Sequence, residues 1–107
     1  MKKILILMFF CNSVFAQIQL AQFNASWNSA NEVSWIQDLE DCKTISYIDI
    51  SKQVDLATKH KIAVIPTIII FKDDIEVARF QADLSFKMVA TKEEVQEEIS
   101  NQLMSDF

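Results

Sequence analysis

From Gln17 onward the spacing of hydrophobic positions separates strands from helices. Ile18 to Phe23 alternates apolar and polar residues, with Ile18 and Leu20 on one face and Gln19 and Gln22 off it, which predicts a strand. Ser29-Ala30-Asn31-Glu32 has the form of a capping box. Val33, Ile36 and Leu39, with Trp35, follow at helical spacing, so a helix is predicted from residue 29 to about 41. Thr44 to Ile50 is rich in β-formers and reads as a second strand, and Gln53 to His60 as a short helix with Leu56 and Ala57 facing inward.

Pro66 precedes the continuous apolar run Thr67-Ile68-Ile69-Ile70-Phe71, the pattern of a strand buried on both faces. Proline is tolerated there because it lies at the strand's start. Lys72-Asp73-Asp74 forms a turn, and Ile75 to Phe80 returns as the hairpin partner. Thr91-Lys92-Glu93-Glu94 is a second capping box, and Val95, Ile99 and Leu103 mark one stripe of a C-terminal helix. The order is β-α-β-α-β-β-α. A strand–helix–strand opening favours a parallel pair with a right-handed crossover, and the hairpin adds antiparallel strands. The expected architecture is α/β: a four-stranded mixed sheet with helices on both faces.

Composition refines this picture. At 107 residues the chain holds one domain. Its first 16 residues have the order of a secretory signal: Lys2 and Lys3, an apolar run from Ile4 to Phe10, then Val14-Phe15-Ala16. The apolar run is short for a bilayer span. Cleavage after Ala16 would leave a domain at 17–107, exported to a periplasm or secreted, without stable membrane insertion. The other readings are a buried N-terminal strand, or a lipoprotein acylated at Cys11, against which Phe10 stands. Without Lys2 and Lys3, eight Lys and Arg face fifteen Asp and Glu, a net of about −7. No basic cluster interrupts this, so nucleic acid is not an expected partner. Cys42 would be the only thiol, unable to close an internal disulfide. Glycine is absent, so left-handed turns must use other residues; Asp73-Asp74 and His60-Lys61 are the expected places.

Three local patterns, in order, resemble the thioredoxin superfamily over about Gln17 to Gln102. They are Phe23-x-Ala25-x-Trp27 between a strand and a helix, Tyr47-Ile48-Asp49-Ile50 with the short helix ending Lys59-His60-Lys61-Ile62, and Ile65-Pro66-Thr67 leading into an apolar strand. The resemblance implies a thioredoxin-like fold truncated at its front. It implies that Asn28 and Asn31 occupy the positions of the two redox cysteines, and that Gln22 stands where an acidic residue often lies beneath the site. It also implies a cis Ile65–Pro66 bond facing Asn28–Asn31, and a peptide-binding backbone there. A thioredoxin site needs a thiolate at a helix N-terminus and a second sulfur to resolve the mixed disulfide. Asn and Ser supply neither, and Gln22 cannot relay a proton, so dithiol activity is not expected.

The remaining residues leave alternatives open. Asn28 and Ser29 suit a helix cap or a polar recognition spot. Trp27 reads as an exposed platform beside Pro66 or as core, and Trp35 as core. Cys42, near the end of the predicted helix, reads as an idle thiol whose pKa Glu40 and Asp41 raise, or as a redox or pairing thiol. His60 lacks companions for a metal site and is expected to pack at a helix end. No cofactor is expected. Asn24-Ala25-Ser26 matches a glycosylation sequon. In Asp83 to Ala90, Leu84, Phe86 and Met88 alternate with polar residues, which suits either a fold back onto the sheet edge, replacing a first strand, or a partner or homodimer surface. The expected function is an exported, redox-inactive domain that binds an extended peptide or protein at Trp27, Asn28, Ser29, Asn31, Ile65 and Pro66. The alternatives are a thiol–disulfide oxidoreductase or redox sensor working through Cys42, and a structural dimer.

Overall fold

The computed structural model describes residues 17–105, and the expected signal segment, 1–16, lies outside them. Strand β1 (Ile18–Asn24) is central. It pairs in parallel with β2 (Thr44–Asp49) and antiparallel with β3 (Thr67–Lys72), which pairs antiparallel with β4 (Ile75–Gln81). The sheet order is β2-β1-β3-β4. Being flanked on both sides and covered on both faces, β1 and β3 bury almost every side chain. Ile18, Leu20, Ile68 and Ile70 pack on one face with Val33, Ile36, Leu39, Val95 and Ile99. Ala21, Phe23 and Ile69 form the other core, against Ile48, Ile50, Leu56 and Ile62.

The α/β, four-stranded mixed sheet is as expected, and helices stand on both faces. Helix α1 (Val54–Lys59) covers the second face, with Leu56 turned inward. The two carbonyls just past its end accept from Arg79: Nη2 donates to His60 O at 2.7 Å and Nη1 to Lys61 O at 3.2 Å. Glu76 holds the same guanidinium through both carboxylate oxygens. The His60 ring sits between Phe23 and Phe71, with centroids 5.5 and 5.4 Å away. Helix α2 (Lys92–Met104) opens with the expected capping box: Glu94 N–H donates to Thr91 Oγ1, and Thr91 N–H to Glu94 Oε1.

The first predicted helix does not form. Residues 29 to 41 instead contribute to two short 3-10 helices, Ser26–Asn31 and Ser34–Asp38, joined through extended Glu32 and Val33. The capping box at Ser29–Glu32 is likewise absent, and Ser29 is exposed with no side-chain cap. Ser, Asn, Trp and Val are indifferent helix formers, and Ser and Asn side chains compete for hydrogen bonds. A second correction concerns Gln22. It shares the face of Ile18 and Leu20, as the two-residue period of a strand requires, and is 2 % exposed rather than turned aside. Cys42 lies in the loop before β2, not at a helix end.

Hairpin residues Asp73 and Asp74 both take left-handed angles (φ 52° and 69°), as a tight two-residue hairpin turn needs. Lys61 does so as well (φ 53°), while His60 does not (φ −94°). Asp41 and Phe86 are further left-handed positions that the composition did not single out. Because Ile99 is fully buried where α2 meets the first core, Ile99→Ala is expected to cost about 2–5 kcal/mol. Urea unfolding should show a lowered midpoint at unchanged slope.

Candidate functional site

The C-terminal end of β1 delivers two buried amides, Gln22 and Asn24, under the segment that follows. A buried amide must have both its ends paired. Gln22 Oε1 accepts from Val33 N–H at 2.8 Å, and Gln22 Nε2 donates to Val33 C=O at 3.5 Å. This grips the extended residue between the two 3-10 helices, where no helical hydrogen bond is available. It also orients the amide, since only the oxygen end can meet the Val33 N–H.

Asn24 is fully buried and binds its neighbour four residues on in both senses. Asn28 Nδ2 donates to Asn24 Oδ1 at 3.0 Å, and Asn24 Nδ2 donates to Asn28 C=O at 3.3 Å. Asn31 Nδ2 donates to Asn28 Oδ1 at 2.9 Å. The positions that the resemblance equates with the sulfur pair are thus joined by an amide–amide hydrogen bond. Asn28, 5 % exposed, sits at φ −110°, ψ 22°, between the allowed basins. Neither it nor Ser29 caps a helix; the 3-10 segment starts from Ala25 without any side-chain cap. Ser26 Oγ instead donates to Asp49 Oδ2 at 2.6 Å, tying the segment to the end of β2. Hydrogen bonds from Ser26 and Ser51 hold the Asp49 carboxyl down at about 2.

Trp27 projects outward, 67 % exposed, and meets Phe86 edge-on with ring centroids 5.3 Å apart. The Ile65–Pro66 peptide bond is cis. Trp27, Phe86, Val64 and Ile65 line one shallow depression of about 170 Å³. Pro66 C=O accepts from Ala82 N–H at 3.0 Å and Val64 C=O from Thr67 Oγ1 at 2.6 Å. The Ile65 main chain between them makes no hydrogen bond within the described residues.

The segment after β4 does not run along a sheet edge as a replacement strand. Ala82 and Met88 form an isolated antiparallel bridge, and residues 83–87 loop out between them. The Asp83 carboxylate accepts from Ser85 N–H and Oγ and from Lys87 N–H, which closes the loop on itself. Met88 packs on the first core, Leu84 is 92 % exposed, and Phe86 lies over the site. The alternation of Leu84, Phe86 and Met88 therefore reflects no strand. The link from Asn28 Nδ2 to Phe86 C=O, at 3.3 Å, was beyond sequence reasoning. The Asp83-x-Ser85 turn signal alone hinted at a tight loop there.

Cys42 stands apart from this cluster. Lys43 N–H donates to Ile18 C=O at the start of β1, whereas Asn24 ends the strand. At about 3.3 Å per residue, the two ends are roughly 20 Å apart. Burial, and then the negative charge of Asp41, pushes the Cys42 thiol up to about 11. No group of three or more His, Cys, Asp and Glu side chains among the described residues is placed to hold a metal ion, and no described helix is long and apolar enough to cross a membrane.

No protein-family model matches the sequence, and no curated protein does. Solved structures do match. A point mutant of the Halobacterium salinarum thioredoxin aligns with 81 % of this chain and 75 % of its own, at TM-score 0.65 and 20 % identity. Thioredoxin-2 of the malaria parasite covers 80 % and 84 % at TM-score 0.61 and 19 % identity. The Fasciola hepatica thioredoxin covers 89 % of both chains at TM-score 0.58 and 19 % identity. The chain has a thioredoxin-like fold. At these identities the likeness is one of fold.

Two measurements check this geometry. Gln22→Leu strands the buried Val33 N–H and C=O, and should cost about 1–3 kcal/mol in urea unfolding. With its pKa raised from 9.0 to about 11, Cys42 should carry about a hundredfold less thiolate at neutral pH than an unshifted thiol. Iodoacetamide labelling across pH should show the reaction slowed accordingly, with its midpoint well above pH 9.

Proposed function

We propose that this is an exported thioredoxin-fold domain that has given up dithiol exchange and binds an extended peptide or protein segment. The observation that carries the reading is the Asn28–Asn31 amide pair, closed by a 2.9 Å hydrogen bond at the positions that the resemblance equates with the redox sulfurs. Exchange needs a thiolate to attack and a second thiol to resolve, and an amide does neither. What an amide does well is donate to a carbonyl and accept from an N–H, the currency of main-chain recognition.

The surroundings support a binding role. The Ile65 main chain carries a donor and an acceptor unused by the described residues, at the place where thioredoxin-like scaffolds receive an extended chain as an added strand. Trp27 beside it supplies exposed aromatic area, and Ser29 and Asn31 add polar groups at its margin. Export rests on the basic, apolar and small-residue order of residues 1–16. The raised pKa of Cys42 and its distance from the site weigh against a thiol role.

The direct test is insulin reduction. The protein should give no turnover above a dithiothreitol-only control, and robust turnover would overturn the reading. A complementary titration with an extended peptide should quench Trp27 fluorescence, and Trp27→Ala should lose at least about tenfold in affinity, the scale of one buried aromatic anchor.

A further inference from the structure

Through Phe86, residues 83–87 lie against the site in the manner of a bound ligand. From their contacts we infer that the site takes an extended peptide bearing an aromatic side chain, admitted when Phe86 is displaced. The inference rests on the peptide-binding reading above and specifies its ligand.

Phe86 makes the two contacts that an incoming residue would need. Its carbonyl accepts from Asn28 Nδ2 at 3.3 Å, and its ring meets the Trp27 indole edge-on at 5.3 Å. An aromatic pair in this geometry gains beyond simple area burial. Phe86 and Trp27 also line one depression with Ile65, so the loop stands beside Ile65, whose main chain is unused by the described residues. The chain's own segment therefore displays the ligand chemistry: a main-chain carbonyl for Asn28 and an aromatic ring for Trp27.

The loop is built to leave. Phe86 sits at φ 65°, a left-handed angle that a bulky side chain disfavours. It is held there by Asp83, whose carbonyl accepts from Phe86 N–H and whose carboxylate clasps Ser85 and Lys87. The base of the loop is fixed by the Ala82–Met88 bridge and by Met88 in the core. Residues 83–87 can move without disturbing either core, because all of them are exposed. Displacement relieves the Phe86 backbone and frees Trp27 for the same contact with another chain.

Charge selects the flanks of that chain. Glu32 beside Asn31, Asp49 bound to Ser26, and Asp83 of the loop border the site, with Lys52 and Lys87 beside the latter two, which leaves one carboxylate uncompensated on a chain of formal net charge −5. Flanks that are basic suit this border better than acidic ones.

Fluorescence anisotropy with labelled Lys-Ala-Phe-Ala-Lys, Lys-Ala-Ala-Ala-Lys and Glu-Ala-Phe-Ala-Glu tests this, with sedimentation of the protein alone. Phe86→Ser should bind the basic phenylalanine peptide about tenfold more tightly than wild type, the gain expected if the covered state holds about nine-tenths of the population. Asp83→Ala, which unclasps the loop but keeps the ring, should shift affinity in the same direction. Both should prefer that peptide over the alanine and acidic ones. Unchanged or weakened binding in both variants, with Trp27→Ala still weakening it, would overturn the Phe86 inference and leave peptide binding standing. No binding of any peptide to any variant would overturn both. A wild-type dimer that Phe86→Ser converts to monomer would reassign the Phe86 surface to a second copy of this chain.

Discussion

The course of the chain after β1 depends on an amide that cannot be left unpaired. Gln22 belongs to a strand enclosed on both faces, and its side chain reaches no water. Its pairing with the main chain of Val33 sets where the backbone may be extended and where it may coil. An uninterrupted helix through this region would spend the Val33 N–H on a helical carbonyl and leave the Gln22 oxygen bare, a cost that buried polar groups seldom bear. The break between the two 3-10 helices is therefore coupled to the identity of residue 22. Asn24, Asn28 and Asn31 extend the same logic outward, each amide finding the next.

The sequence disclosed the frame more readily than the site. Strands were legible because burial on one or both faces writes a short, local signal, and Ile68-Ile69-Ile70 admits hardly any other reading. The helix at Lys92–Met104 was legible because its capping box and apolar stripe agree with each other. The segment after Trp27 misled because helical spacing of Val33, Ile36 and Leu39 is also satisfied by two short turns that bring the same side chains to the same core. Spacing records which residues must be buried and not how the backbone carries them there. The partner of Val33 lies 11 residues back on another element, and the partner of Asn28 lies 58 residues ahead. Contacts of that range leave no periodic trace.

A sulfur pair and an amide pair make different demands on a scaffold. A thiolate must be stabilised, exposed to its partner and supplied with a route for its proton. Amides are neutral at every physiological pH, so the surroundings of Asn28 and Asn31 need tune no ionisation. The fold can then bury Asn28 and enlist it as a structural strut, which a nucleophile in use could not be. The charged groups nearby, Asp49 and Asp83, are likewise engaged in fixing backbone, through Ser26 and Ser51 in one case and Ser85 and Lys87 in the other.

The chain contains no glycine, yet it turns left-handed at Asp41, Lys61, Asp73, Asp74 and Phe86. Each of these residues crowds its own β-carbon against the backbone in the native state. The same β-carbons restrict the denatured chain, which has fewer shapes to wander among than one punctuated by glycine. Native crowding and denatured-state restriction thus oppose each other at the same five sites. Among the described residues, where Cys42 is a free thiol, a narrow denatured ensemble is one of the few sources of stability that asks nothing of the core.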